Sequence, residues 1–312
     1  MRNKKNFLVT GGTGFIGSNI CKLLIELGHD VTIFDNNSRG EFKRIKELNK
    51  KVKFIRGDIR DKKKFFKSLK NINSIIHLAY INGTKYFYEK PELILDVAIK
   101  GLVNIFDGCK KFKIRELYLA SSSEVYQTPL KIPTSEEEPL KIPDINNPRF
   151  SYGGGKILTE LMGINYGRKF FTKIIIFRPH NVYGADMGNE HVIPELIQKM
   201  RKIKKNSFLK IQGTGKEIRS FIYIKDFISA FHKLMTKGKH LQIYNIGTTQ
   251  SIKIKDLVLK ISKIMKKKII IKTFALKKGS TKIRKPNIAK IRKLGFKPKY
   301  TLDQGLKEII FN

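Results

Sequence analysis

Cysteine is scarce: the 312 residues contain two, Cys21 and Cys109. Two thiols are too few for a disulfide framework or a cysteine-based metal cluster, and a reduced, cytoplasmic setting is the natural expectation, with no metal site. No apolar run approaches the ~20 residues that cross a bilayer, so no membrane insertion is expected. The start of the chain, Met1 to Lys5, is basic, but glycines at once break the apolar run behind it. That run therefore reads as a first strand and not as a signal peptide. Acidic residues are also few, 26 against 64 Lys and Arg, for a formal net charge of +38. Such a balance suits nucleic acid or an anionic surface. The lysines, however, run along the whole chain, as in Lys50-Lys51, Lys62-Lys63-Lys64, Lys204-Lys205, Lys266-Lys267-Lys268 and Lys277-Lys278. No nucleic-acid motif organises them, so they read as a solvated surface without a specific nucleic-acid partner. The field they create still favours an anionic substrate.

What is present is a glycine-rich turn, Gly11-Gly12-Thr13-Gly14-Phe15-Ile16-Gly17, directly after the apolar run Phe7-Leu8-Val9-Thr10. Strand, turn and helix start together hold a pyrophosphate: one glycine turns the chain, one admits the phosphate to the backbone, and one lets helix pack on strand. A second strand, Val31-Thr32-Ile33-Phe34, ends in Asp35, about twenty residues after the turn. A carboxylate there accepts from ribose hydroxyls and repels a 2′-phosphate, so NAD is expected over NADP. Arg39 stands close enough to accommodate a phosphate and is the feature that argues the other way.

A hydrophobic fraction of 41% supports a substantial core, and the length allows one large α/β domain or a nucleotide domain with a smaller partner. Strand-like segments at Phe7–Thr10, Val31–Asp35, Lys53–Gly57, Ser74–Leu78, Glu116–Ser121 and Lys173–Arg178 alternate with amphipathic stretches such as Ser18–Leu27, Leu93–Lys110 and Lys156–Lys169. This alternation predicts a doubly wound parallel sheet covered by helices on both faces. Ligands of such sheets bind beyond the carboxyl ends of the strands. Gly11, Asp35, Asp58, Ala79, Ser121 to Ser123 and Arg178 to Asn181 all fall there. Pro129 to Pro148 reads as a surface excursion, and no internal repeat is found. Helices are expected in Ile252–Ile264 and Leu302–Ile310.

Tyr152 and Lys156 lie one helical turn apart and share a face. An ammonium beside a phenol favours the phenolate, which makes tyrosine a usable base. About thirty residues upstream, the strand end Ala120-Ser121-Ser122-Ser123-Glu124-Val125-Tyr126 offers hydroxyls to the same substrate oxygen, and the set suits oxidation of a secondary alcohol. His77, His180 and Arg178 read as structural strand-end residues.

Over nearly its full length the chain resembles the extended short-chain dehydrogenase/reductase family, within it the nucleotide-sugar epimerases and dehydratases. The motifs are GGTGFIG, FDNNSRG with Asp35, GDIRD with Asp58 and Ile59, HLAY (His77–Tyr80), SSSEVY, YGGGK, RPHNVYG (Arg178–Gly184), HVIP (His191–Pro194), GTGKEIRSFIYIKD (Gly213–Asp226), YNIG (Tyr244–Gly247) and RKPN (Arg284–Asn287). The resemblance implies a Rossmann sheet with a smaller C-terminal substrate-binding region: residues 1–180 with 221–250 for NAD, and 181–220 with 251–312 for the nucleotide sugar. It implies Tyr152 as base, Lys156 and Ser122 assisting, and Gly11, Gly14, Phe15, Ile16, Gly17, Asp35, Asp58, Ile59 and Ala79 at the cofactor, together with Tyr152 and Lys156 themselves. Ser123, Asn181, Arg219 and Arg284 would meet the sugar nucleotide, the two arginines its diphosphate. A homodimer built from the helices near Leu93–Lys110 and Lys156–Lys169 is expected. Ala98 stands where the family usually has asparagine, Gly153-Gly154-Gly155 where it has a small residue and serine, Gln127 where it has glycine, and Asn287 where it has aspartate.

Oxidation at C4 of the sugar is the implied opening step, and three fates follow: 4-epimerisation, 4,6-dehydration, or decarboxylation of a uronic acid. Glu124 is the candidate second base that would take the C5 proton. A net NAD(P)H-dependent reductase and a non-catalytic dinucleotide- or nucleic-acid-binding protein are the competing readings from other classes.

Overall fold

The computed structural model describes residues 4–48, 50–188, 190–203, 207–276 and 278–311. The first residues of the basic start, the Lys204-Lys205 pair and Lys277 lie outside the described residues. In chain order the first part runs β1 (Asn6–Thr10), α1 (Phe15–Glu26), β2 (Asp30–Asp35), β3 (Val52–Arg56), α2 (Lys62–Lys67), β4 (Ser74–His77), α3 (Thr84–Glu89), α4 (Pro91–Lys111), β5 (Glu116–Ala120), α5 (Phe150–Phe170) and β6 (Lys173–Pro179). There follow β7 (Val182–Tyr183), α6 (Val192–Lys202), β8 (Ser207–Gln212), β9 (Ile218–Arg219), β10 (Ile222–Tyr223), α7 (Ile224–Lys237) and β11 (Gln242–Ile246). The chain ends with β12 (Ile252–Lys253), α8 (Ile254–Ile264), β13 (Ile269–Phe274), β14 (Ile283–Arg284), α9 (Ala289–Arg292) and α10 (Leu302–Phe311).

Seven of these strands form one sheet in the order β11-β6-β5-β4-β1-β2-β3, every neighbouring pair parallel. Parallel strands need long crossovers, and the helices that make them cover both faces. Successive side chains point to opposite faces, so Val9 and Ile33 pack with α1 on one side while Leu8 and Phe34 pack on the other. Each such fully buried aliphatic or phenyl side chain contributes about 1.5–3 kcal/mol. The strand order reverses between β1 and β4, which opens the crevice where the glycine turn sits. Three smaller sheets, β10-β7, β12-β9-β14 and β13-β8, are built from the C-terminal half. No helix among the described residues is long and apolar enough to cross a membrane.

The predicted strands hold to within a residue or two at their ends. The segment 252–264 is corrected to a short strand followed by α8, because Ile252 and Lys253 pair with β9. Helix α5 begins at Phe150 and runs through all three glycines. Glycine costs about 1 kcal/mol relative to alanine in a helix, and here the bare backbone is used as space. A Cβ built on Gly153 would come within 2.4 Å of Gln127 Nε2, and one on Gly155 within 2.0 Å of the Tyr80 hydroxyl. Both cysteines are buried in helices, which pushes their thiols up and leaves them inert.

Candidate active site

The glycine turn is shaped by its neighbours. Gly11 has φ +73°, and a Cβ there would meet the Ala79 backbone at 2.7 Å. A Cβ on Gly17 would lie 2.1 Å from the Gly11 carbonyl oxygen. Gly14 caps α1 without any side-chain hydrogen bond, and Phe15 and Ile16, the first residues of the helix, line the crevice with the helix dipole behind them. Beyond the tip of β2, the Asp35 carboxylate accepts from Thr13 N at 3.0 Å, Thr13 Oγ1 at 2.6 Å and Asn37 N at 2.9 Å. It thereby holds the turn in place while still lining a small cavity of about 100 Å³. Asp58 and Ile59 line the same cavity. Hydrogen bonds from Arg60 hold the Asp58 carboxyl down at about 2. Arg39 is committed to Glu190 and lies over the Tyr86 ring, so it is not free for a phosphate. A turn that only glycine permits, a helix start without a side-chain cap and a carboxylate at the tip of β2 fit an NAD-type dinucleotide.

A larger cavity of about 470 Å³ adjoins the turn and contains the predicted catalytic set. Tyr152 comes from the first turn of α5, Lys156 from the second, and Ser122 and Glu124 from the segment after β5. The Lys156 ammonium donates to Ala120 O at 2.7 Å and stands 5.9 Å from the Tyr152 ring centroid. Burial brings the Lys156 amine down to about 7, with Glu160 pulling it back up. Burial also pushes the Tyr152 phenol well above its ordinary value, opposed by a hydrogen bond with Ser122. Burial thus favours the neutral form of both groups, and a charge on Lys156 works the other way for the phenol. The Tyr152 ring stacks on Phe87 at 4.9 Å and 25°, which fixes its direction into the cavity.

Glu124 has a different character from the free base that its position suggested. Burial alone would raise its carboxyl, but Arg284, Arg149 and Arg219 more than offset this and hold it below the usual range. Arg284 Nη1 donates to its Oε1 at 2.8 Å, and Arg149 Nη2 approaches Oε2 at 3.9 Å. Arg219 is bound through backbone carbonyls, among them Thr281 O at 2.7 Å, and burial takes it down to about 10. Ser123 and Asn181 line the cavity, and Asn181, with φ +42°, donates to Ser220 O at 2.9 Å. All the predicted catalytic and substrate residues thus share one cavity.

His77 and His180 are buried, hydrogen-bonded to Thr10 Oγ1 at 2.8 Å and Asn245 Oδ1 at 2.9 Å, and burial brings both down to about 3. Arg178 pairs with Glu160 in the core, Nε to Oε1 at 2.7 Å, and donates to the Tyr126 hydroxyl at 2.6 Å. These three serve structure, as their strand-end positions suggested. Sequence reasoning did not single out Arg149, Glu160 or Tyr80. Arg149 stands three residues before Tyr152, and that spacing was the available signal. Glu160 was legible only as one more residue on the Lys156 face of the helix.

A seven-stranded parallel sheet, a dinucleotide turn at its switch point and a Tyr/Lys pair on α5 define an extended short-chain dehydrogenase/reductase. A sequence profile of the NAD dependent epimerase/dehydratase family matches residues 7–247, and the chain belongs to that family, whose cofactor is NAD. A UDP-N-acetyl-alpha-D-glucosaminuronate decarboxylase of Bacillus cytotoxicus is 32% identical, over 98% of this chain and 97% of that protein. A dTDP-D-glucose 4,6-dehydratase of Dictyostelium discoideum is 31% identical, over 83% of this chain and 62% of that one. Among solved structures, the UDP-N-acetylglucosamine 4-epimerase of Methanobrevibacter ruminantium M1, in complex with UDP-N-acetylmuramic acid, superposes with a TM-score of 0.89 at 26% identity. That match covers 99% of this chain and 98% of the epimerase.

Proposed function

We propose that this enzyme acts on a nucleoside-diphosphate sugar by transient oxidation at C4. The observation that carries the reading is the convergence of Tyr152, Lys156 and Ser122 in one cavity beside the glycine turn. The Tyr152 oxygen takes the proton of the C4 hydroxyl, and Ser122 hydrogen-bonds the same substrate oxygen. Lys156, when charged, lowers the cost of the phenolate. NAD, when bound, supplies the acceptor for the electron pair that leaves C4. The first amides of α1, at Phe15 and Ile16, would hold its pyrophosphate, and Asp35, Asp58, Ile59 and Ala79 would meet its adenosine half. On this reading residues 1–180 with 221–250 bind the cofactor, and 181–220 with 251–312 bind the sugar nucleotide. Arg219 and Arg284 meet the diphosphate there, and Asn181 and Ser123 the sugar.

The cationic surround of Glu124 favours one fate of the keto sugar over another. A carboxylate paired with arginine is a weak acceptor for a C5 proton, and Ser123 beside it offers an alcohol where departure of the C6 hydroxyl needs an acid. Arg149, whose Nη2 only approaches Glu124 at 3.9 Å, instead suits a sugar carboxylate, because a planar guanidinium binds carboxylate through two parallel donors. Decarboxylation of a nucleotide-linked uronic acid is therefore the second reading, beside epimerisation at C4. In heavy water, without added cofactor, a panel of UDP-, GDP-, dTDP- and CDP-sugars and uronic acids separates the fates. Loss of carbon dioxide with deuterium at C5 is the expected product on the second reading, and an isomer of unchanged mass on the first. Loss of water would restore Glu124 as base, and no product until NAD(P)H is added would indicate a reductase.

A homodimer belongs to the same reading. Leu95, Ile99 and Val103 on α4 and Leu161 and Tyr166 on α5 are exposed, at 39 to 56%. The first three recur every fourth residue and form a stripe. Ile99→Glu combined with Val103→Glu is expected to halve the mass seen by light scattering, and an unchanged mass would refute an interface here.

A further inference from the structure

Tyr80 follows β4, and its ring lies against the Lys156 side chain. The Lys156 Nζ is 3.7 Å from the Tyr80 ring centroid, closer than the 5.9 Å to that of Tyr152. The two tyrosine rings meet edge to face, 5.2 Å apart at 87°. The Tyr80 hydroxyl fills the notch of Gly155, whose built Cβ would lie 2.0 Å from it, with the Ala98 Cβ at 3.0 Å from the same point. That hydroxyl is buried and has no hydrogen-bond partner among the described residues. Its hydrogen bonding therefore does not explain the placement, and the face of the ring is what Tyr80 offers its neighbours.

The need for that face is visible from the other groups around Lys156. Ala120 O, from β5, is its neutral acceptor. His77, from β4, is held neutral by burial and the Lys156 charge. Tyr152 shares its helix face, and Glu160 on α5, whose carboxylate accepts from Arg178, acts on the ammonium only through its field. A desolvated ammonium over a ring face gains more than an exposed one, because water no longer competes for it.

We propose that Tyr80 is a positioning residue whose ring keeps Lys156 charged and aimed at Tyr152, and that Gly155 and Ala98 are small in order to seat it. The proposal rests on Lys156 assisting Tyr152, but its test reads Lys156 directly. Its failure is therefore distinguishable from the failure of the functional reading.

Competitive acetylation with trace acetic anhydride across pH, read peptide by peptide by mass spectrometry, gives the midpoint of Lys156 in the purified protein. Tyr80→Phe keeps the ring, and should leave the midpoint, and turnover at neutral pH, as in the unaltered chain. Tyr80→Leu removes the face, and should lower the midpoint by about one pH unit. Charged lysine then becomes the minor form near neutrality. The alkaline limb of the kcat profile moves down by the same amount, and turnover there falls about tenfold with KM unchanged. Gly155→Ala, which displaces the hydroxyl, should lower the midpoint too. Adding Tyr80→Phe should restore it, since the next ring atom is 3.4 Å from the new methyl. This pair keeps the test open if Tyr80→Leu does not fold. An unmoved midpoint in Tyr80→Leu, a Phe variant that shifts as far as Leu, or a Gly155→Ala defect without rescue would each overturn the proposal.

Discussion

Replacing Tyr152 with phenylalanine should reduce kcat by about 10²–10⁴-fold, the range that a positioned general base contributes. The change removes one oxygen and leaves the ring, which keeps its stacking on Phe87 and its edge contact with Tyr80. The group lost is a buried neutral hydroxyl hydrogen-bonded with Ser122, so stability should fall by only about 1 kcal/mol. Affinity for the sugar nucleotide should survive, because the proposed diphosphate contacts, Arg219 and Arg284, come from β9 and β14 rather than from α5. Lys156 and Ser122 remain in place, so the loss of rate reports the base, and any residual rate reports the groups that stay. Turnover within a few-fold of the unaltered enzyme would remove Tyr152 from the mechanism and reopen the binding-protein reading.

The second large effect is on stability. Arg178 and Glu160 are 1% and 3% exposed and form a paired contact across the core, joined by Tyr126 and Ser121. Arg178→Met leaves the Glu160 carboxylate without its cation, and breaking a buried pair from one side costs about 3–5 kcal/mol. That is a large part of the 5–15 kcal/mol typical of a domain, so the denaturation midpoint should fall sharply. Replacing both partners, Arg178→Met with Glu160→Leu, should recover most of the loss, because the desolvation cost of both charges is then removed as well. The double variant should still be slow near neutral pH, since Glu160 also supports the charge of Lys156. Chemical denaturation of the single and double variants measures the effect. A double variant no more stable than Arg178→Met alone would contradict this, and would mean that the attraction within the pair outweighs the desolvation cost of its charges.

The residues differ in how far the sequence revealed them. The glycine turn and Asp35 were legible because their task is local: a few φ angles, one strand end, one helix start. Tyr152 and Lys156 were legible as a helical spacing that acquired meaning from the SSSEVY segment before it. The state of Glu124 was not, because three arginines from distant parts of the chain, at 149, 219 and 284, set its charge. Nor was the use of the three glycines in α5. Intrinsic propensity alone argued for a weakened helix start. The space freed at Gly153 and Gly155 is taken by Gln127 and Tyr80, whose approach is a matter of tertiary packing. Arg39 shows the same limit: proximity in sequence suggested a phosphate contact, and Glu190, far along the chain, takes the guanidinium instead.

Oxidation at C4 is the claim on which the account turns, and a substrate deuterated at that carbon tests it most directly. The enzyme, loaded with cofactor, would be mixed in excess with a nucleotide sugar that the panel shows to be turned over, protiated or deuterated at C4. Single-turnover product formation and the isotopic content of the product would then be followed. The account predicts several-fold slower conversion of the deuterated sugar, with the label returned to the product and not released to water. Equal rates for the two substrates, or deuterium lost to solvent, would contradict it.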